Sequence, residues 1–129
     1  MTKHLRSKFD EAAIRFAEKI AIRYRKGEEW TDLSYREMAD RIKSLSVFLI
    51  SRGVRDGDRV GVFMENRPEW PLLFCSTVFT GSVFVPLSPR SQQKEVKNIL
   101  NDSGCGLVFA SETSQAAIEG IRQECPSIK

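Results

Sequence analysis

The apolar positions change period several times along the chain, and each change marks an element. Leu5, Phe9, Ala12, Ala13 and Phe16 recur at helical spacing, which predicts a short amphipathic helix. Ile20, Ile22 and Tyr24 then alternate with Ala21, Arg23 and Arg25, the period of a strand with one face in water. Lys26 and Gly27 supply a turn, and Trp30 to Ser34 reads as the returning strand of a hairpin. Ser34 followed by Glu37 matches a capping box, so a helix is expected from Tyr35. Met38, Ile42, Leu45 and Leu49 form its inner stripe, joined by Ala39 and Phe48, and Gly53 is its stop.

The stretch from Gly57 to Leu87, GDRVGVFMENRPEWPLLFCSTVFTGSVFVPL, reads as buried strand, helix and second buried strand. Within the first strand, Arg59 to Met64, Gly61 leaves room for a close neighbour. Asn66 is positioned to cap the next helix, with Pro68 in its first turn, and from Trp70 to Phe79 apolar residues occupy nearly every face. Gly81 ends that helix, and Ser82 to Leu87 forms a strand closed by Pro86 and Pro89. Ser91 is expected to cap a third helix, with Val96, Ile99 and Leu100 inside and Lys94 and Lys97 outside. After Gly104 and Gly106 comes the strand Leu107 to Ala110, and Ser111 to Cys125 is expected to be a last helix stopped by Pro126.

This alternation of helices and apolar strands predicts the α/β class: an N-terminal β-hairpin plus a partial doubly wound parallel sheet with helices on both faces. Residues 1–129 form one unit. A narrow parallel sheet leaves backbone groups unpaired at its edges. The expectation is therefore a fragment, with the remainder of its own polypeptide as partner and self-association when alone.

Composition adds mostly exclusions. With 41% hydrophobic and 29% charged residues, the chain is neither disordered nor membrane-spanning in character. The net charge of +3 arises from 20 basic and 17 acidic residues spread along the chain, so no nucleic-acid partner is implied. The local cluster Lys3, His4, Arg6 and Lys8 reads as the solvated face of the first helix. No transmembrane segment is expected, since the longest apolar run, Pro71 to Leu87, is interrupted by Ser76, Thr77, Thr80, Gly81 and Ser82. Cys75, Cys105 and Cys125 are too widely spaced for a zinc site or a disulfide framework, which suggests a cytoplasmic protein. No GxGxxG or GxxxxGK[ST] loop follows any strand. His4 is the single histidine, and Asp56 and Asp58 flank a turn glycine, so they serve the turn and not acid–base chemistry.

In order along the chain stand FDEAAIRFAEKIAIRY, WTDLSYREMADRI, GVRDGDRVGVFMENRPEW, TGSVFVPLSPR and NDSGCGLVFA. Together they resemble the N-terminal portion of the AMP-forming acyl-CoA synthetases, within the adenylate-forming superfamily. LSYREM at Leu33 to Met38 and TGSVFVPLSP at Thr80 to Pro89 are similar to its first two core motifs, which are structural there. The superfamily's phosphate loop, its aromatic-Thr-Glu motif, its ribose aspartate and its C-terminal lysine would follow Lys129, so the resemblance assigns no catalytic residue and no metal ligand here.

The resemblance implies the N-terminal fragment of an ATP-dependent carboxylic acid–CoA ligase, inactive alone, whose parent uses ATP, Mg2+ and CoA. MENRPEW and PLSPRSQQKEVKNILNDSG are most similar to the fatty-acyl-CoA ligase branch. In such enzymes basic residues near the helix after the second motif can meet the 3′-phosphate of CoA, which makes Arg90, Lys94 and Lys97 candidates against the reading of an exposed polar helix face. The alternatives are a fragment of an amino-acid or aryl-acid adenylation enzyme serving a carrier protein, and a stand-alone non-catalytic α/β binding module.

Overall fold

A computed structural model describes residues 4–129, which leaves Lys3 of the basic cluster outside the described residues. Helix α1 (Leu5–Arg15) leads into strands β1 (Ile20–Lys26) and β2 (Glu29–Ser34), which pair antiparallel as the expected hairpin. Lys26 faces Glu29 across a two-residue turn in which Gly27 has φ +67°, a conformation glycine adopts without strain. On the outer face Arg23 lies opposite Asp32 and donates two hydrogen bonds to its carboxylate, at 2.6 and 2.8 Å. This pair holds Asp32 below the ordinary carboxylate range.

Helix α2 (Tyr35–Ser51) starts where its capping box places it. Glu37 N–H donates to Ser34 Oγ at 3.2 Å, and Ser34 N–H donates to the Glu37 carboxylate at 2.8 Å. Met38 and Ile42 pack with Leu33 and with Leu72 of the next helix, and Leu49 is buried, whereas Phe48 stays partly exposed with its ring edge on Phe109.

Strand β3 (Arg59–Phe63), helix α3 (Glu69–Phe79), strand β4 (Val83–Leu87), helix α4 (Gln93–Ser103), strand β5 (Leu107–Ala110) and helix α5 (Gln115–Ile121) complete the α/β order, followed by a 3-10 turn over Arg122–Glu124. The sheet is parallel with order β4-β3-β5, so β3 alone has a partner on each edge. Its side chains alternate between two cores. Val62 packs with Leu73, Met64 and Trp70 on the α2/α3 face, and Phe63 packs with Val96, Leu100, Cys105 and Ile121 on the α4/α5 face. Helices therefore cover both faces, as the sequence pattern predicts.

Gly61 has the close neighbour expected of it. A Cβ there would lie 3.3 Å from Leu100 and Val108 side-chain carbons and 3.4 Å from Cys105 Sγ.

Three helix starts differ from expectation. Asn66 does not cap α3: the helix begins at Glu69 behind Pro68, and Trp70 N–H donates to Arg67 C=O. Ser91 does not cap α4, because its N–H closes a turn onto Ser88 C=O and the helix begins at Gln93. The last helix is shorter than Ser111 to Cys125, because the Ser111 and Ser114 hydroxyls bond to each other while the Ser114 hydroxyl and the Ser111 N–H donate to Phe63 C=O and so draw the segment out of the helix. Hydroxyls satisfied by distant backbone outcompete a local cap.

Replacing Gly61 with alanine is predicted to cost about 1–3 kcal/mol, since its three neighbours belong to a packed core and must shift. Urea denaturation measures this, with a lowered midpoint and an unchanged slope as the expected outcome.

Candidate functional site

In an open parallel sheet the loops at the C-terminal ends of the strands meet on one edge, next to helix N-termini. Here those loops are 64–68 after β3, 88–92 after β4 and 111–114 after β5. The first and third of these loops are joined by a continuous set of hydrogen bonds. Ser114 Oγ donates to Phe63 C=O at 2.7 Å and lies 2.6 Å from Ser111 Oγ, which lies 3.0 Å from Thr113 Oγ1. Thr113 Oγ1 donates to Glu65 at 3.1 Å. Arg67 then bridges Glu65 at 3.5 Å and Glu69, in the first turn of α3, at 2.8 Å. Both ends of this set rest on the β3–α3 connection, so it fixes that loop from two sides.

The electrostatics follow from the same bonds. The Ser111 hydroxyl, with smaller contributions from Thr113 and Arg67, holds the Glu65 carboxyl below its ordinary value. Arg67 does the same for Glu69. Burial pushes the Cys75, Cys105 and Cys125 thiols up, which keeps them protonated near neutral pH and poor as nucleophiles.

Beside the fixed loop lies a shallow groove of about 520 Å³ lined by Met64, Asn66, Trp70, Pro86, Leu87, Ser88 and Pro89. Its wall is rigid. Trp70 stacks near Phe74 and meets the Phe84 ring edge-on at 5.0 Å, so one aromatic face is supported from behind.

The candidate cations are placed unequally. Arg90 sits in the turn directly after Pro89, and Lys94 lies in the first turn of α4, both exposed. Lys97 is one turn further along, and its ammonium bonds Glu124 at 2.7 Å. Arg90 and Lys94 thus stand where the chain leaves β4 and enters α4, while Lys97 is committed to the 3-10 turn after α5. Asp58 serves its turn, accepting from Arg55 N–H at 2.8 Å. Among the described residues no cluster of histidine, cysteine and carboxylate side chains could hold a metal ion.

Sequence reading missed the hydroxyl set. Its visible signal was the run Ser111, Thr113 and Ser114 immediately after a strand, at the edge where loops converge. Asn66, read as a cap, instead lines the groove.

The sequence model described as AMP-binding enzyme matches residues 9–129. The chain belongs to the AMP-binding enzyme family. Long-chain-fatty-acid–CoA ligase FadD15 of Mycobacterium bovis is 37% identical over 89 residues, covering 69% of this chain and 15% of the relative. A polyketide synthase-nonribosomal peptide synthetase of Aspergillus clavatus is 26% identical over 121 residues, covering 94% of this chain and 3% of the relative. The solved N-terminal domain of FACL13 from Mycobacterium tuberculosis superposes with a TM-score of 0.90 at 26% identity, covering 99% of this chain and 33% of that domain. The chain therefore spans a small part of the proteins it matches, and its fold is that of an N-terminal domain of adenylate-forming enzymes.

The lowered carboxyls of this family member carry a pH dependence of stability. A Glu65 that titrates lower in the fold than in the unfolded chain contributes stability above the unfolded value, about 4.3, and loses it as pH falls through the folded value. The Glu65→Gln variant is expected to melt below wild type at pH 7, with the gap narrower in a second melt run in acid, below the unfolded value. Thermal melts at both pH values check the sign.

Proposed function

We propose that this chain is the N-terminal segment of an ATP-dependent carboxylic acid–CoA ligase acting on fatty acids. The reaction has two balanced steps. A carboxylate oxygen attacks the α-phosphorus of ATP and pyrophosphate leaves; the CoA thiol, losing its proton, then attacks the acyl carbonyl carbon and AMP leaves. The observation that carries this reading is the family match over residues 9–129 together with the 37% identity to a long-chain-fatty-acid–CoA ligase.

In this reading the segment supplies scaffold and part of the thiol-substrate seat, with no catalytic residue of its own. Support comes from the exposed apolar side chains Val47, Ile50 and Val83 and from the unpaired outer edges of β4 and β5, surfaces that further parts of the same polypeptide would cover. Exposed as they are, the same surfaces favour self-association of the chain alone. The free thiols fit a reducing compartment such as the cytoplasm, and among the described residues no helix is long and apolar enough to cross a membrane. By the resemblance, the residues that hold ATP and Mg2+ would lie elsewhere in the enzyme.

Arg90 and Lys94 are assigned to the 3′-phosphate of CoA, with both cations exposed at the sheet edge as the supporting geometry. Lys97 reaches the phosphate only by giving up Glu124, so its removal should have the smallest effect of the three. A second reading, adenylation of an amino or aryl acid for a carrier protein, is favoured by the match to the Aspergillus clavatus synthetase over 94% of this chain.

The test uses the complete enzyme that contains this segment, supplied with ATP, a fatty acid and CoA or dephospho-CoA. Acyl-CoA formation is expected, and Arg90→Ala or Lys94→Ala should raise the KM for CoA about tenfold but leave that for dephospho-CoA unmoved. Transfer to a carrier protein without acyl-CoA formation would establish the second reading instead.

A further inference from the structure

The N-terminal edge of the sheet carries a cleft of its own, between the turn after α2, the start of β3, the α4–β5 connection and the segment 126–129. Its volume of about 450 Å³ is that of a small-molecule site. Arg52, Arg59 and Lys129 line it against one carboxylate, Asp58, which already accepts the Arg55 N–H at 2.8 Å. Gly53, Gly104 and Gly106 add no side chains to the walls, so room remains beside the cations.

Arg59 is the fixed member of this set. Its Nε donates to Ser103 C=O at 2.7 Å and its Nη1 to Gly57 C=O at 3.2 Å, which orients the planar guanidinium and leaves its other N–H groups unused. Arg52 and Lys129 are exposed, and their side chains have no partner among the described residues. The Lys129 N–H donates to Gly106 C=O at 3.1 Å, so that side chain springs from a tethered point on the rim. The helix C-termini that meet at this edge would repel an anion through bare carbonyls, but these are occupied. Leu49 and Ile50 C=O accept from Val54 and Gly53 N–H, Leu100 C=O accepts from Gly104 N–H, and Ser103 C=O accepts from Arg59. The cleft therefore presents a surplus of positive charge.

A phosphate group matches that surplus. Its oxygens accept in pairs from a guanidinium fork and singly from an ammonium, and it carries nearly two negative charges at neutral pH. We propose that this cleft binds the phosphate group of a small molecule, with Arg59 as the oriented fork and Arg52 and Lys129 closing on the remaining oxygens. The site lies at the N-terminal ends of β3 and β5, away from the loops at their C-terminal ends, and it goes beyond the ligase reading without depending on it. An occupant would tie the turn after α2 to the segment 126–129 across the cleft.

Hydrogen exchange of the complete enzyme, read by mass spectrometry, tests this with inorganic phosphate, pyrophosphate and AMP, each against sodium chloride at equal ionic strength. Slower exchange is expected in residues 52–59, 104–107 and 126–129. In a variant carrying both Arg52→Ser and Lys129→Ser, the concentration giving half of that protection should rise about tenfold or more. Both side chains are exposed and unpaired among the described residues, so without added anion its thermal midpoint should match wild type. Protection by all three anions assigns the cleft to phosphate groups in general, and protection by one alone assigns it to that source; either result upholds the proposal. No protection of these segments by any of the three, equal protection by sodium chloride, or protection undiminished in the variant would each overturn it.

Discussion

The structure depends on a strand with no side chain at its centre. Gly61 in β3 lies within van der Waals reach of Leu100, Val108 and Cys105, which lets the α4 layer settle directly on the middle of the sheet. From that contact the alternation of β3 follows, with Phe63 directed into the α4/α5 core and Val62 into the α2/α3 core. As the one strand paired on both edges, β3 also sets the heights of β4 and β5 and hence the plane in which their loops end.

The two ends of the sheet have opposite chemistry, for reasons of helix direction. Helix C-termini gather at the N-terminal edge, where orphan carbonyls need donors. Arg59 supplies them, donating to Ser103 C=O at 2.7 Å and to Gly57 C=O at 3.2 Å, while Gly104 takes the left-handed cap at φ +65°. At the C-terminal edge the helix N-termini arrive instead, and the Ser111, Thr113 and Ser114 hydroxyls tie the β3–α3 and β5–α5 connections together. This edge thus has its β3–α3 and β5–α5 loops tied together and its groove open, with Arg90 on the β4–α4 connection and Lys94 in the first turn of α4.

What could be read from the sequence was what neighbouring residues decide. The capping box of Ser34 and Glu37, the hairpin turn at Gly27, the two-sided burial of β3 and the close approach at Gly61 all need only a few residues of context. The helix starts at Asn66, Ser91 and Ser111 were misplaced because each depends on a competitor the local pattern does not reveal: Pro68 with the Arg67 carbonyl, the Ser88 turn, and the distant Phe63 carbonyl. Arg90, Lys94 and Lys97 were named from the resemblance and not from local pattern, and the capture of Lys97 by Glu124 joins residues far apart in sequence. The family was legible because several short segments stand in the right order, and the match over residues 9–129 agrees.

The central claim is that this chain is a scaffold segment completed by further parts of the same enzyme. Its most direct measurement is ATP–pyrophosphate exchange with a fatty acid, run on the 129-residue chain alone, on the rest of the enzyme alone and on the two together. The account predicts exchange only from the mixture, with β3 amides becoming more protected from hydrogen exchange as the edges of β4 and β5 are covered. Exchange by the chain alone would contradict it.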